Sequence, residues 1–157
     1  MVVVVFVMLL TNSCSNDERY LIGVEPSAIT SAFKSLNFKT DRTFDAEYGN
    51  LWNITGEDSN STYNIQLFSE NSTSQIESIT VNALLKSPKG EIDYSLFHEM
   101  AMQTKVECDP NVVSSWLSAH YNNPGDTIIN QVSFSMSQPS ELAKTLTIKK
   151  VAINITE

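Results

Sequence analysis

Thr62-Tyr63-Asn64-Ile65-Gln66-Leu67-Phe68-Ser69 and, after the polar break Glu70-Asn71-Ser72-Thr73, Gln75-Ile76-Glu77-Ser78-Ile79-Thr80-Val81-Asn82-Ala83-Leu84-Leu85 decide how this chain is read. In the first run Tyr63, Ile65 and Leu67 alternate with polar residues; in the second Ile79, Val81, Ala83 and Leu85 do the same. A period of two puts one set of side chains on a buried face and the other towards solvent, the pattern of a half-covered β-strand. The break between the runs is short and made of turn formers, so the two strands are expected to pair as an antiparallel hairpin.

The same reading extends outward in both directions. A strand is expected over Thr43–Ile54, with Phe44, Tyr48, Leu51 and Trp52, joined to the next through Gly56-Glu57-Asp58-Ser59-Asn60. Before it, Pro26–Leu36 has Ala28, Ile29, Ala32, Phe33 and Leu36 at helical spacing, and Pro26 suits a first helical turn. After Ser87-Pro88-Lys89-Gly90, a helix over Asp93–Val106 would turn Leu96, Phe97, Met100 and Ala101 inward. Asp109-Pro110 signals a third helix start, running to Tyr121 with Val112, Val113, Trp116 and Leu117 inward, and Asn122-Asn123-Pro124-Gly125 stops it. Two strands, Thr127–Ser137 and Lys144–Ile153, complete the pattern, and Lys149-Lys150 interrupts the second in the manner of a bulge. The expectation is an α+β domain: a five-stranded antiparallel sheet with helices on one face, in the order α-β-β-β-α-α-β-β. That order is similar to small helix-on-sheet lipoprotein domains and to the secretion-chaperone-like and β-lactamase-inhibitor-protein-like groups. The likeness is one of element order, which implies an architecture and no particular activity.

The N-terminus carries the strongest indication of address. Val2 to Leu10 is an unbroken apolar run, about half the length needed to span a bilayer as a helix, and it suits the apolar region of a signal peptide. Thr11-Asn12-Ser13-Cys14-Ser15-Asn16-Asp17-Glu18 follows, with small or polar residues leading to a cysteine and then to an acidic stretch. These residues resemble a bacterial lipoprotein precursor. The resemblance implies cleavage before Cys14 and a lipid on its sulfur, although no Lys or Arg precedes the run and Thr11 stands where a lipobox usually has Leu. The chain then divides into a signal peptide over 1–13, a tether over 14–22 and one domain over 23–157. Two other readings stay open: Val2–Leu10 as a buried strand, and ordinary cleavage after Ser13. The latter would leave a soluble secreted protein in which Cys14 and Cys108 could form a disulfide.

Composition narrows the function classes. The chain has 157 residues, enough for one domain with a packed core, and 41% of them are hydrophobic. Its formal net charge of -8 repels phosphate backbones, which argues against nucleic-acid binding.

Chemistry-bearing patterns are sparse. His98-Glu99-Met100-Ala101-Met102 begins like the helical zinc-protease motif, but Met102 occupies the second ligand position. Cys108, or Ser114 and Ser115 with His120, lack any surrounding nucleophile signature. Asp58-Ser59-Asn60-Ser61-Thr62 starts like a calcium loop, yet Ser69 stands where that loop needs its glutamate. No catalytic set, cofactor motif or metal-ligand spacing is therefore assigned. Most aromatics fall at core spacing, and Tyr48 and Trp52, on one face of the expected first strand, are the candidate partner-binding pair. The expected function is a lipid-anchored envelope protein that binds or inhibits a protein partner. A hydrolase of unrecognised type and a carrier of an apolar ligand are the alternatives.

Overall fold

The computed structural model describes residues 19–45, 47, 49–104 and 106–151. Helix α1 (Pro26–Lys34) leads into strands β1 (Lys39–Asp45), β2 (Gly49–Glu57), β3 (Ser61–Ser69) and β4 (Ser78–Leu85). Helices α2 (Tyr94–Gln103) and α3 (Pro110–His120) then cross to β5 (Gly125–Ile129), β6 (Val132–Ser140) and β7 (Ala143–Lys150). All pairings are antiparallel, in the spatial order β1-β2-β3-β4-β7-β6-β5. The α+β class holds, but the sheet has seven strands where five were expected, and the element order is α-β-β-β-β-α-α-β-β-β.

Both additional strands come from hairpins that lie inside runs read as single strands. The expected strand Thr43–Ile54 straddles the β1–β2 turn, where Asp45 pairs with Gly49. Gly49 has a φ of 90°, and a Cβ there would come within 2.6 Å of the Glu70 backbone, so only glycine fits. Phe44, Leu51 and Trp52 flank this turn and make it look continuous. The run Thr127–Ser137 folds back at Asn130-Gln131, the two residues between the paired Ile129 and Val132. Their φ angles of 53° and 65° are what a two-residue primed hairpin turn demands. Glutamine in the second position, usually glycine, conceals the turn.

The bulge expected at Lys149-Lys150 is also corrected. Those residues pair in register with Ser133 and Val132, and the irregularity lies between Ser137 and Ser140 of β6. Lys150 therefore continues the inner row of Leu146 and Ile148.

One face of the sheet is apolar across its five inner strands. Trp52, Leu67, Ile79, Ile148 and Phe134 are successive neighbours across β2, β3, β4, β7 and β6, and Ile54, Ile65, Val81, Leu146 and Met136 form the next row. Ile29 and Phe33 of α1, Phe97, Met100 and Ala101 of α2, and Val113 and Leu117 of α3 close the same core. Each such aliphatic or aromatic side chain contributes about 1.5–3 kcal/mol on burial. Asp93 and Asp109 cap α2 and α3, their carboxylates accepting from Ser95 and Leu96 and from Asn111. Val112, expected inward, is exposed, because the buried stripe of α3 runs through Val113 and Leu117 instead. Phe44 is likewise 66% exposed at the open end of β1.

Candidate functional site

Because all three helices share the apolar face, the opposite face of the sheet is bare. Its middle row runs Asp41, Asn53, Gln66, Thr80, Thr147, Ser135, Asp126 across all seven strands. The adjacent row runs Lys39, Thr55, Asn64, Asn82, Thr145, Ser137. Charge is confined to the two edges of these rows, while the centre is hydroxyl and amide. Gln66 donates to Asn53 Oδ1 at 3.2 Å, and Thr145 donates to Asn82 Oδ1 at 2.8 Å. The first bond links β3 to β2, and the second joins the two halves of the sheet across β7 and β4. On the row to the other side, Leu51 and Phe68 are neighbours and half-buried, and Ile128 at its far end is 64% exposed. A shallow cavity of about 720 Å³ lies between Asp126, Ile128, Ser135 and Lys149.

A second concavity lies on the helix side, beside the N-terminus of α1. It measures about 1070 Å³ and is walled by the segment Tyr20–Ser27, Arg42 and Trp52 of the β1–β2 end, Thr73–Gln75, and Gln131 with Lys150. Leu21 closes its base by donating its N–H to Ile76 O at 2.7 Å. Trp52, one of the two aromatics singled out in the sequence, is only 7% exposed, since its face is the one the helices cover. Its partner Tyr48 lies outside the described residues, as does Cys14.

What Trp52 meets instead is Arg42. The guanidinium sits 5.1 Å from the ring centroid, and its Nη2 donates to Asn50 Oδ1 at 2.7 Å. Asn50 is itself buried and donates from Nδ2 to Ser72 O at 3.1 Å. Arg42, Asn50 and Lys150 were not singled out from the sequence, because nothing local marks a strand residue as facing a cleft. The single available signal was Lys150 at the inward position of an alternating run.

The remaining candidates resolve into structural roles. Ser114 pairs with His98, not His120: His98 Nε2 lies 2.9 Å from Ser114 Oγ across the α2–α3 contact. Neither lines the two cavities above nor the two others, beside Phe38 and Tyr63 and beside Cys108. His120 stacks on Trp116, with Nδ1 at 3.0 Å from Trp116 O. Burial pushes the Cys108 thiol up, against the pull of Lys150, and its Sγ donates to Ile129 O. A thiol held protonated is a poor nucleophile. Asp58 is a turn anchor: Oδ1 accepts from the N–H groups of Asn60 and Ser61, and Oδ2 from the Tyr63 hydroxyl at 2.6 Å. Burial alone would raise its carboxyl, but these bonds together hold it below its ordinary value.

No protein-family model, curated protein or solved structure matches this chain. The chemistry of the bare face and of the cleft is what remains to guide function.

Proposed function

We propose that this chain is a non-enzymatic binding module of the cell envelope, held near a membrane by a lipid on Cys14, that engages a partner protein through the bare face of its sheet. The absence of charge from the centre of its two middle rows carries the reading, although Lys149 of β7 stands in the row beside them. In a chain of net charge -8, rows crossing the full sheet are hydroxyl and amide at the centre and charged at the rim. Depletion of charge at the core with a polar rim is how protein interfaces are built.

Size points the same way. Six inter-strand spacings and strands of eight or nine residues give a face of roughly 800 Å², close to one partner's share of a standard interface. The lipid anchor rests on the residues around Cys14, and since Tyr20 and Leu21 are already packed into the domain, the tether after Cys14 would be short and keep the domain close to the bilayer. Among the described residues no helix is long and apolar enough to cross a membrane.

A photo-crosslinking residue placed at Thr80 or Thr147 in the producing cell tests the face. The expected result is a crosslink to one discrete protein, lost on Asn64→Lys with no change in melting temperature, while crosslinkers on the outer side of α3 at Ser118 give none. Crosslinks only from the helix side, or persistence after Asn64→Lys, would refute the assignment. The intact mass of membrane-extracted protein tests the anchor separately: an acylated species starting at Cys14 supports it, and an unmodified soluble species removes it.

A further inference from the structure

We infer that the cleft beside α1 is a binding site for an anionic amphiphile, its carboxylate or phosphate head on Arg42 and its apolar body along Trp52, Ile22 and Pro26. The cleft lies on the opposite side of the sheet from the proposed partner face, so the two assignments stand or fall separately. Its volume of about 1070 Å³ is at the upper end for a small-molecule site.

Arg42 is the anchor because its charge is held in place and left over. In a chain with 18 carboxylates against 10 basic residues, its guanidinium takes a neutral amide, Asn50 Oδ1, as acceptor. Among the described residues it has no carboxylate partner. The adjacent Asp41 points to the other face of β1, and its carboxylate accepts from the Arg42 backbone N–H. A guanidinium has five N–H donors, so stacking on Trp52 and one bond to Asn50 leave an edge free for a bidentate oxyanion. Buried Asn50, tied to Ser72 O, fixes that edge before any ligand arrives.

The surroundings agree with an anion that has an apolar tail. Lys150 adds a second positive charge from β7, with β2, β3 and β4 between it and Arg42, and among the described lining residues Glu25 is the one carboxylate. The described lining is thus net positive in a strongly negative chain. Ile22, 49% exposed at the rim, offers apolar surface, and Trp52 and Pro26, both buried, line the cleft from within. Gln75, Gln131 and Ser74 supply neutral hydrogen-bonding groups.

The test is titration of the full chain with octyl phosphate and with octanoate, each below its micelle concentration, and with uncharged octyl glucoside, read by calorimetry. One-to-one binding of at least one anion is expected, with octyl glucoside at least about tenfold weaker. Arg42→Gln, at an exposed position, should cost the anion about tenfold in affinity with an unchanged melting temperature, and Arg42→Lys should recover part of that loss. Preference for octyl phosphate identifies a phosphate head such as a lipid's, and preference for octanoate a carboxylate. Failure of both anions to bind, equal binding of octyl glucoside, or an Arg42→Gln affinity equal to wild type overturns the inference.

Discussion

Gly56 on β2 shows how one residue can be decided by its neighbour more than by its own propensity. Glycine weakens a strand, so Gly56→Ala would ordinarily help. Here the ring of Phe38 lies across the position, and an added Cβ would meet it at 2.5 Å. Phe38 cannot swing away, being packed against Phe33 and Tyr63 with centroids 5.4 and 6.4 Å distant. Gly56→Ala is therefore expected to destabilise by about 1–3 kcal/mol in urea melts; a neutral or stabilising result would mean that the Phe38 wedge is loose. Tyr63 makes a second prediction at this scale. Burial, and the bond to Asp58, push its phenol up to about 12 from an ordinary 10.0. Below pH 10 the group is neutral in both folded and unfolded chains. From there to about pH 12 only the unfolded chain ionises, so stability falls as pH rises through that window. Tyr63→Phe should flatten that alkaline loss in part, Tyr121 being raised as well by burial, while costing some stability at neutral pH. Urea melts between pH 8 and 12 measure both effects. The Asp58 contribution has the opposite sign, being full above its ordinary 3.8 and lost as pH falls through its lower folded value.

At the scale of elements, the β5–β6 turn offers the sharpest test. Gln131 holds a φ of 65°, a conformation that disfavours residues with a Cβ by roughly 1–2 kcal/mol. Gln131→Gly should relieve that strain and raise stability by about 1 kcal/mol; a lower melting temperature would show that the side chain does more than endure its position. The same turn explains what could be read from the sequence. Alternation in β3 and β4, most of the apolar stripes of the helices and the Asp109 cap were legible because each is a local signal. The β1–β2 and β5–β6 hairpins were not, because alternation continues through a tight turn and neither turn carries an Asn-Gly or Asp-Gly pair. The cleft was not legible. Trp52 was singled out with Tyr48 as a partner-binding pair, whereas the helices cover its face, and its relation to Arg42, Asn50 and Lys150 depends on strand order, which no local pattern encodes.

For the whole molecule, the consequential feature is where the two meanders join. β1 to β4 is a run of neighbouring hairpins, and β5 to β7 is another; the sheet becomes one only where β7 pairs with β4. That seam links residues far apart in sequence, such as Asn82 and Thr145, 63 positions away. Contacts of that separation carry a larger loop-closure cost and are slow to gain in folding. The bare face crosses the seam, so neither meander alone presents the surface assigned to the partner. Leu146, fully buried on β7 between Val81 and Met136, sits at the seam. Leu146→Ala should cost about 2–5 kcal/mol through the lost burial and the cavity left behind. If the first meander forms ahead of the seam, that loss appears almost wholly as faster unfolding, whereas Ile65→Val in the centre of the first meander slows refolding. Stopped-flow chevrons of the two variants separate the cases. A Leu146→Ala protein that refolds much more slowly while unfolding at the wild-type rate would place the β4–β7 seam in the folding nucleus, and the two halves would then assemble together, not in sequence.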